Sequence, residues 1–190
     1  MITSAKGDSP LTYTKEIIDC LIKCLPIDSE KITAFGICSG ASGAWQMAIS
    51  YPDLFAAIAT ASFGDMTPST DIVKLRNKNF WFFNNDNDMT TPISQIKETT
   101  AYMCKQKINH NLTIGHNQHD SWTMAMGKYK VLAWLASQKK GSHYPPPGSI
   151  INGKHSLYET NYLFFSSDII DSHHFTNASQ KYKHKQYNTQ

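Results

Sequence analysis

"AFGICSGASGAW", residues Ala34 to Trp45, is the stretch on which the reading of the fold turns. It continues "KITAFGIC", a β-branched and aromatic run with the composition of a short buried strand. Behind Cys38 the residues are almost all small, and Trp45, Ala48 and Ile49 then recur at helical spacing until "YPD" interrupts them. The spacing predicts a strand, a sharp turn at Cys38 and a helix. Gly36 and Gly40 stand two residues to either side of the cysteine, and a chain turning so tightly requires small neighbours.

Upstream, residues 12 to 25 carry two interleaved helical rows, Ile17, Leu21 and Cys24 beside Ile18, Ile22 and Leu25, and Pro26 closes them. Downstream, "FAAIATAS", "NFWFFNN" and "INHNLTI" read as strands, the last because Ile108, His110, Leu112 and Ile114 alternate with polar residues. Helices fit between them: a short one around "STDIVKLRN", one from a Thr91 cap and Pro92 through Cys104, and a last one from Asp120 to about Lys139. Strands that alternate with helices, several apolar on both faces, predict an α/β fold for residues 1–140, three layers α/β/α around a mainly parallel sheet. From "GSHYPPPGS" onward the texture turns polar, so residues 141–190 read as an irregular linker and tail, with "LYETNYLFF" as one candidate added strand.

The chain has 190 residues, 41% of them hydrophobic, enough for one sizeable core. Lys and Arg outnumber Asp and Glu by 18 to 15, a +3 balance concentrated near "KYKHKQ", which gives no reason to expect a nucleic acid or membrane partner. No apolar run approaches the ~18 residues of a membrane span, and "MITSAKGDSPL" lacks a signal-peptide centre. A cytoplasmic protein is expected, or a secreted one if an amino-terminal segment is missing from this sequence. Of four cysteines, Cys20 and Cys24 lie one helical turn apart among Ile17, Ile18, Leu21 and Leu25, which predicts core packing over metal ligation. The eight histidines include no two with ligand spacing on a shared helix face, so neither a metal nor a cofactor is expected.

Cys38 is the candidate nucleophile because Gly36 and Gly40 give it the G-x-nucleophile-x-G spacing, whereas Ser39 and Ser42 lack paired flanking glycines. A thiol needs a base, and the base needs an orienting acid. Asp86 and Asp88 follow the third strand, and His116 and His119 follow the fourth, so both groups belong at the strand ends where Cys38 lies. Either carboxylate fits, and the order nucleophile, acid, histidine is that of the α/β-hydrolases.

At these residues the sequence resembles the α/β-hydrolase superfamily, in particular its esterase, polyhydroxybutyrate depolymerase and predicted-peptidase group. Members typically read GLSMGGYGTW, HGxxDxxVP and GHDSW where this chain has "GICSGASGAW", "NNDNDMTTP" and "QHDSW", and the resemblance runs from about Leu11 to Lys140. It implies Cys38 as nucleophile, Asp88 as acid, His119 as base and the N–H of Ser39 as an oxyanion donor. Cysteine replaces the usual serine, as in the similar dienelactone hydrolases; Gln118 stands in place of a glycine, and Asn84 and Asn85 in place of His-Gly. The family's nucleophile follows its fifth strand, while 31 residues precede Ile32 here. The resemblance therefore implies the C-terminal half of the fold, with four strands and a second oxyanion amide missing from this sequence. Loss of one such donor costs about 2.7 to 4 kcal/mol.

A hydrolase of esters or other activated acyl compounds is thus expected, acting through a Cys-His-Asp triad on a small-molecule or polymeric ester. The alternative is a non-catalytic α/β-hydrolase remnant serving as a binding or interaction module. An uncovered first strand would also favour self-association through its edge.

Overall fold

The computed structural model describes residues 9–64, 70–141, 150–151 and 154–155. Helix α1, Pro10–Cys24, comes first, with Ser9 as its cap and proline in its first turn. Strand β1, Thr33–Ile37, then passes through Cys38 into α2, Ser39–Ser50. β2 is Ala57–Ala61, β3 Asn79–Asn85 and β4 Asn109–Gly115; all four strands run parallel and lie in chain order across one sheet. Parallel neighbours need crossovers, and here these are α2, a segment containing a 3₁₀ turn over Thr70–Leu75, and α3, Ile93–Lys105.

The two-residue period of β3 divides its aromatic side chains between two cores. Phe80 and Phe82 pack with Trp45 of α2, Ile58 of β2, and Ile96 and Met103 of α3. The Trp45 ring meets Phe80 edge-on at 5.8 Å. On the opposite face Trp81 and Phe83 pack against Ala57, Ala59 and Ala61 and against α5, Val131–Ser137. Trp134 stands nearly perpendicular to Trp81 at 5.4 Å. Helices on both faces of the sheet give the three expected layers.

The helix expected over Asp120 to Lys139 is two helices, α4 over Trp122–Met126 and then α5. Gly127 ends the first, and Lys130 turns left-handed at φ 50°. This turn sets Tyr129 against Trp81 and Phe83, which one continuous helix would not do. Two short strands also lie within the stretch read as irregular tail. β5, Ile150–Ile151, pairs antiparallel with β4 through His110, and β6, Lys154–His155, pairs antiparallel with β5. The Asn152–Gly153 dipeptide between them is a hairpin signal that the polar texture obscures. The chain divides into units over Met1–Glu159 and Thr160–Gln190, and the second lies outside the described residues, as does the whole of "LYETNYLFF".

α1 departs further from its sequence pattern. Leu11 and Ile18 lean on the core, but no residue of the helix is fully buried, and Cys20 and Cys24 are exposed. The core role expected for these two cysteines is not what the structure shows. β1 forms one edge of the described sheet.

Candidate active site

Because β1, β3 and β4 are parallel, the residues that leave their carboxyl ends share one edge of the sheet. Cys38 leaves β1 there in the sparsely populated conformation φ 53°, ψ −119°. Its N–H is held by the carbonyl of Ala61 at 2.9 Å, and its own carbonyl accepts from the N–H groups of Ala41 and Ser42 in the first turn of α2. The turn is tight enough that a Cβ on Gly36 would lie 2.2 Å from the Gly40 oxygen. Gly36 is therefore required. Gly40 is different, since a Cβ there meets nothing within 4 Å; its backbone, rather than its lack of a side chain, closes the turn. Ser39 opens α2, where helix geometry gives its N–H no intrahelical acceptor.

Asp88 lies beyond β3 with its side chain fully buried. Oδ1 accepts the N–H groups of Thr90 at 2.8 Å and Thr91 at 3.0 Å, while Oδ2 accepts the Thr91 hydroxyl and lies 2.9 Å from Nδ1 of His119. Burial pushes this carboxyl up, but the bonds from Thr91, His119 and Thr90 outweigh it and hold Asp88 below the usual carboxylate range. An ionised carboxylate only accepts, so Nδ1 of His119 carries the proton in this bond. The bond to Asp88 raises the His119 imidazole above its ordinary value; partial burial opposes this and the nearby Cys38 side chain adds to it. Cys38, Asp88 and His119 thus leave the ends of three parallel strands at one sheet edge, with His119 bonded to Asp88.

Asp86 and His116, the other members of the two loops, bond to each other at 2.5 Å, with side chains 52% and 75% exposed. The register that pairs Asp88 with His119 leaves them outside. His116 also lines a cavity of about 380 Å³ with Asn85, Asp120, Thr123, Met124 and Lys128, which includes neither Cys38 nor His119.

The structure adds residues that the sequence did not single out. Thr91, read as a helix cap, gives its hydroxyl to Asp88, and α3 starts two residues later. Ser62, just beyond β2 at φ 53°, is fully buried and donates its hydroxyl to the carbonyl of His119. It also lies 2.9 Å from the hydroxyl of Ser121, which donates to the Phe83 carbonyl at 2.7 Å. Gln118 is left-handed at φ 48°, and asparagines grip its backbone on both sides. Asn85 donates to its carbonyl at 2.9 Å, and Asn87 accepts its N–H at 2.8 Å. Trp122 meets the His119 ring edge-on at 5.9 Å. The clearest sequence signal for this shell is Gln118 where the resembled group has glycine, which marks a backbone position with positive φ.

No family profile matches the sequence, and no curated protein matches it. Solved structures do. A thermostable esterase superimposes with a TM-score of 0.62 at 21% identity, over 70% of this chain and 37% of its own. The S-formylglutathione hydrolase of Staphylococcus aureus gives 0.52 at 13% identity, over 72% of this chain and 67% of its own. A carboxylesterase of Bacillus cereus gives 0.53 at 20% identity, over 71% and 66%. This chain thus spans little more than a third of the first of these and about two thirds of the others. With its parallel strands in chain order, its helices on both faces and a sharp turn from β1 into α2, the chain has the α/β-hydrolase fold.

Proposed function

We propose that this chain hydrolyses esters or other activated acyl compounds through an acyl-cysteine intermediate. The observation that carries the reading is that Cys38, Asp88 and His119 leave the carboxyl ends of three parallel strands, with the buried Asp88 bonded to Nδ1 of His119 at 2.9 Å. Asp88 occupies Nδ1 and fixes the tautomer, which leaves Nε2 for the thiol. The thiol proton passes to Nε2 as the sulfur attacks the acyl carbon. The tetrahedral intermediate collapses, the carbon–oxygen bond breaks, and the leaving alcohol takes the proton back from the imidazolium. Water then attacks the thioester while His119 accepts its proton, and release of the carboxylic acid restores the thiol. The Ser39 N–H faces the developing oxyanion as one donor.

With one donor identified, good leaving groups are the expected substrates: activated aryl esters turn over slowly, and ordinary alkyl esters and amides fall below detection. Mass spectrometry of the chain mixed with an aryl acetate decides the matter. An acetyl group on Cys38 that decays as acetate appears supports the reading. Absence of that adduct with every aryl ester tried sinks it, and leaves a binding module built on a hydrolase fold. The neighbours whose names mark them as esterases and serine hydrolases support the coarse activity class.

A further inference from the structure

The loops after β3 and β4 border a space that the chemistry of Cys38 does not use. It measures about 380 Å³, and Asn85, His116, Asp120, Thr123, Met124 and Lys128 line it. These walls belong to the β4 side of the sheet, away from β1. The volume is that of about a dozen water molecules at ~30 Å³ each, too large for a bound ion and near the lower end of the ~300–1,000 Å³ range of small-molecule sites.

A pair of residues at the strand ends keeps this space open. Asn85 and Gly115 are partners in the parallel register of β3 and β4. A Cβ on Gly115 would fall 2.4 Å from Oδ1 of Asn85 and 2.7 Å from the sulfur of Met124, so only glycine leaves these two lining side chains where they are. Asn85 is 1% exposed, and its Nδ2 donates to the Gln118 carbonyl at 2.9 Å, which fixes the amide orientation. Its Oδ1 is buried and has no hydrogen-bond partner among the described residues. A buried acceptor without a donor is costly, and a ligand hydroxyl that donates to it removes the cost.

The lining also selects the charge of the ligand. Asp120 contributes a carboxylate, which accepts the Thr123 N–H at 2.9 Å, and Lys128 contributes an ammonium. A ligand with one net charge meets a like charge at one of the two, whereas a neutral ligand does not. Nδ1 of His116 is taken by Asp86, which leaves Nε2 for another partner. A hydroxyl both donates and accepts, so a ring carrying several of them serves carboxylate, amide oxygen and ammonium together.

We propose that this cavity binds a neutral polyhydroxylated ring of monosaccharide size. The inference is independent of the acyl chemistry proposed for Cys38.

The test uses the full chain and the methyl glycosides of glucose, galactose, xylose and arabinose. None is an ester, so the outcome does not depend on whether Cys38 is acylated. Titration followed by amide chemical shifts gives both affinity and location. At least one glycoside should bind with millimolar affinity and shift the amides of Asn85, His116, Asp120 and Lys128. Glucosamine and glucuronate, which add a charge of either sign to the same ring, should bind more weakly than methyl glucoside. Lys128→Met should weaken binding about tenfold through loss of a charged donor, and Gly115→Ala should abolish it by filling the space. Lys128 is exposed, so its variant keeps the fold and carries the test even if Gly115→Ala disturbs the loop. Absence of binding by all four glycosides, tighter binding of a charged analogue, shifts confined to another part of the chain, or an affinity unchanged in Lys128→Met overturns the proposal.

Discussion

Two aspartate–histidine pairs leave the same two loops, Asp86 with His116 and Asp88 with His119, and the shorter bond belongs to the pair outside the site. Asp86 and His116 meet at 2.5 Å, Asp88 and His119 at 2.9 Å. The first pair is mostly exposed, where water competes for both partners and salt screens them, and such surface pairs contribute about 0 to 1 kcal/mol. In the second, the carboxylate is sealed from water and held by Thr90 and Thr91, while Ser62, Asn85 and Asn87 fix the backbone on either side of the histidine. What distinguishes a poised pair from a surface one is how many other groups fix its two members, which bond length does not report.

The largest effect should come from removing the two histidines in turn. His119→Ala should lower acylation by an activated aryl ester by about 10² to 10⁴, the range for loss of a positioned general base. His116→Ala should leave the rate within about twofold, since an exposed pair away from the thiol orients nothing that reacts. Stopped-flow release of the aryl alcohol reads both. Equal losses in the two variants would erase the distinction.

Replacing the acids should give a smaller change with a signature in pH. Asp88 raises the His119 imidazole, so the neutral form able to take the thiol proton predominates only above a pH higher than about 6.5. The acid limb of acylation should lie there. Asp88→Asn should move that limb down and lower the plateau through loss of the tautomer, while Asp86→Asn should move neither. Stability follows the same groups with signs that can be checked. The folded value of Asp88 is depressed, so its contribution is complete above about 3.9 and is lost as pH falls through the lower folded value. Thr91→Val removes a donor to this carboxylate and should raise the pH at which acid unfolding sets in. The folded value of His119 is raised, so its contribution is complete below about 6.5 and is lost as pH rises through the folded value.

Ser62 tests whether the backbone grip matters separately from the acid. Its hydroxyl reaches the His119 carbonyl from the end of β2, so Ser62→Ala should cost about tenfold in acylation by letting the imidazole drift, less than the 10² that a 1 Å misplacement can cost. Because Ser62 is left-handed, Ser62→Gly should recover backbone strain and stability without recovering the rate. Recovery of the rate in the glycine variant would show that backbone conformation, and not the hydroxyl, is what Ser62 supplies.

The sheet was legible in the sequence because its signals are local. "KITAFGIC", "FAAIATAS", "NFWFFNN" and "INHNLTI" each carry enough apolar or alternating character to mark a strand, and each strand is present. The positions of Cys38, Asp88 and His119 followed from strand ends, which are local too. The surrounding grip was not legible, since Ser62 meets the backbone of His119 57 residues away and nothing in either stretch announces the other. α1 misled for a related reason: periodicity records that a face is apolar but not whether anything covers it, and Ile17, Leu21 and Leu25 are exposed here. The break between α4 and α5 was missed because "MGKYK" contains one glycine, which a helix can tolerate, while the demand comes from Tyr129 reaching across to Trp81.

The smallest expected effect concerns Gln118, the neighbour of His119 in the sealed pair. At φ 48° it occupies a conformation that costs a non-glycine residue about 1 to 2 kcal/mol, and the family it resembles usually places glycine there. Glycine would remove that strain but would add about 0.5 to 1 kcal/mol of unfolded-chain entropy, so Gln118→Gly should stabilise the chain by about 0.5 to 1 kcal/mol. For a chain of this size that is about 1 to 4 °C in thermal midpoint. Acylation should change by no more than about twofold, because Asn85 and Asn87 hold the backbone of residue 118 and not its side chain. If the two asparagines serve to impose a strained conformation, Asn85→Ala should be more damaging with glutamine at 118 than with glycine. A double-mutant cycle on thermal stability should then give a coupling of about 0.5 kcal/mol or more between sites that share only backbone bonds. Strict additivity would show that Gln118 is held by the rest of its loop, and would reduce the asparagine grip to a pair of ordinary surface bonds like those around Asp86 and His116.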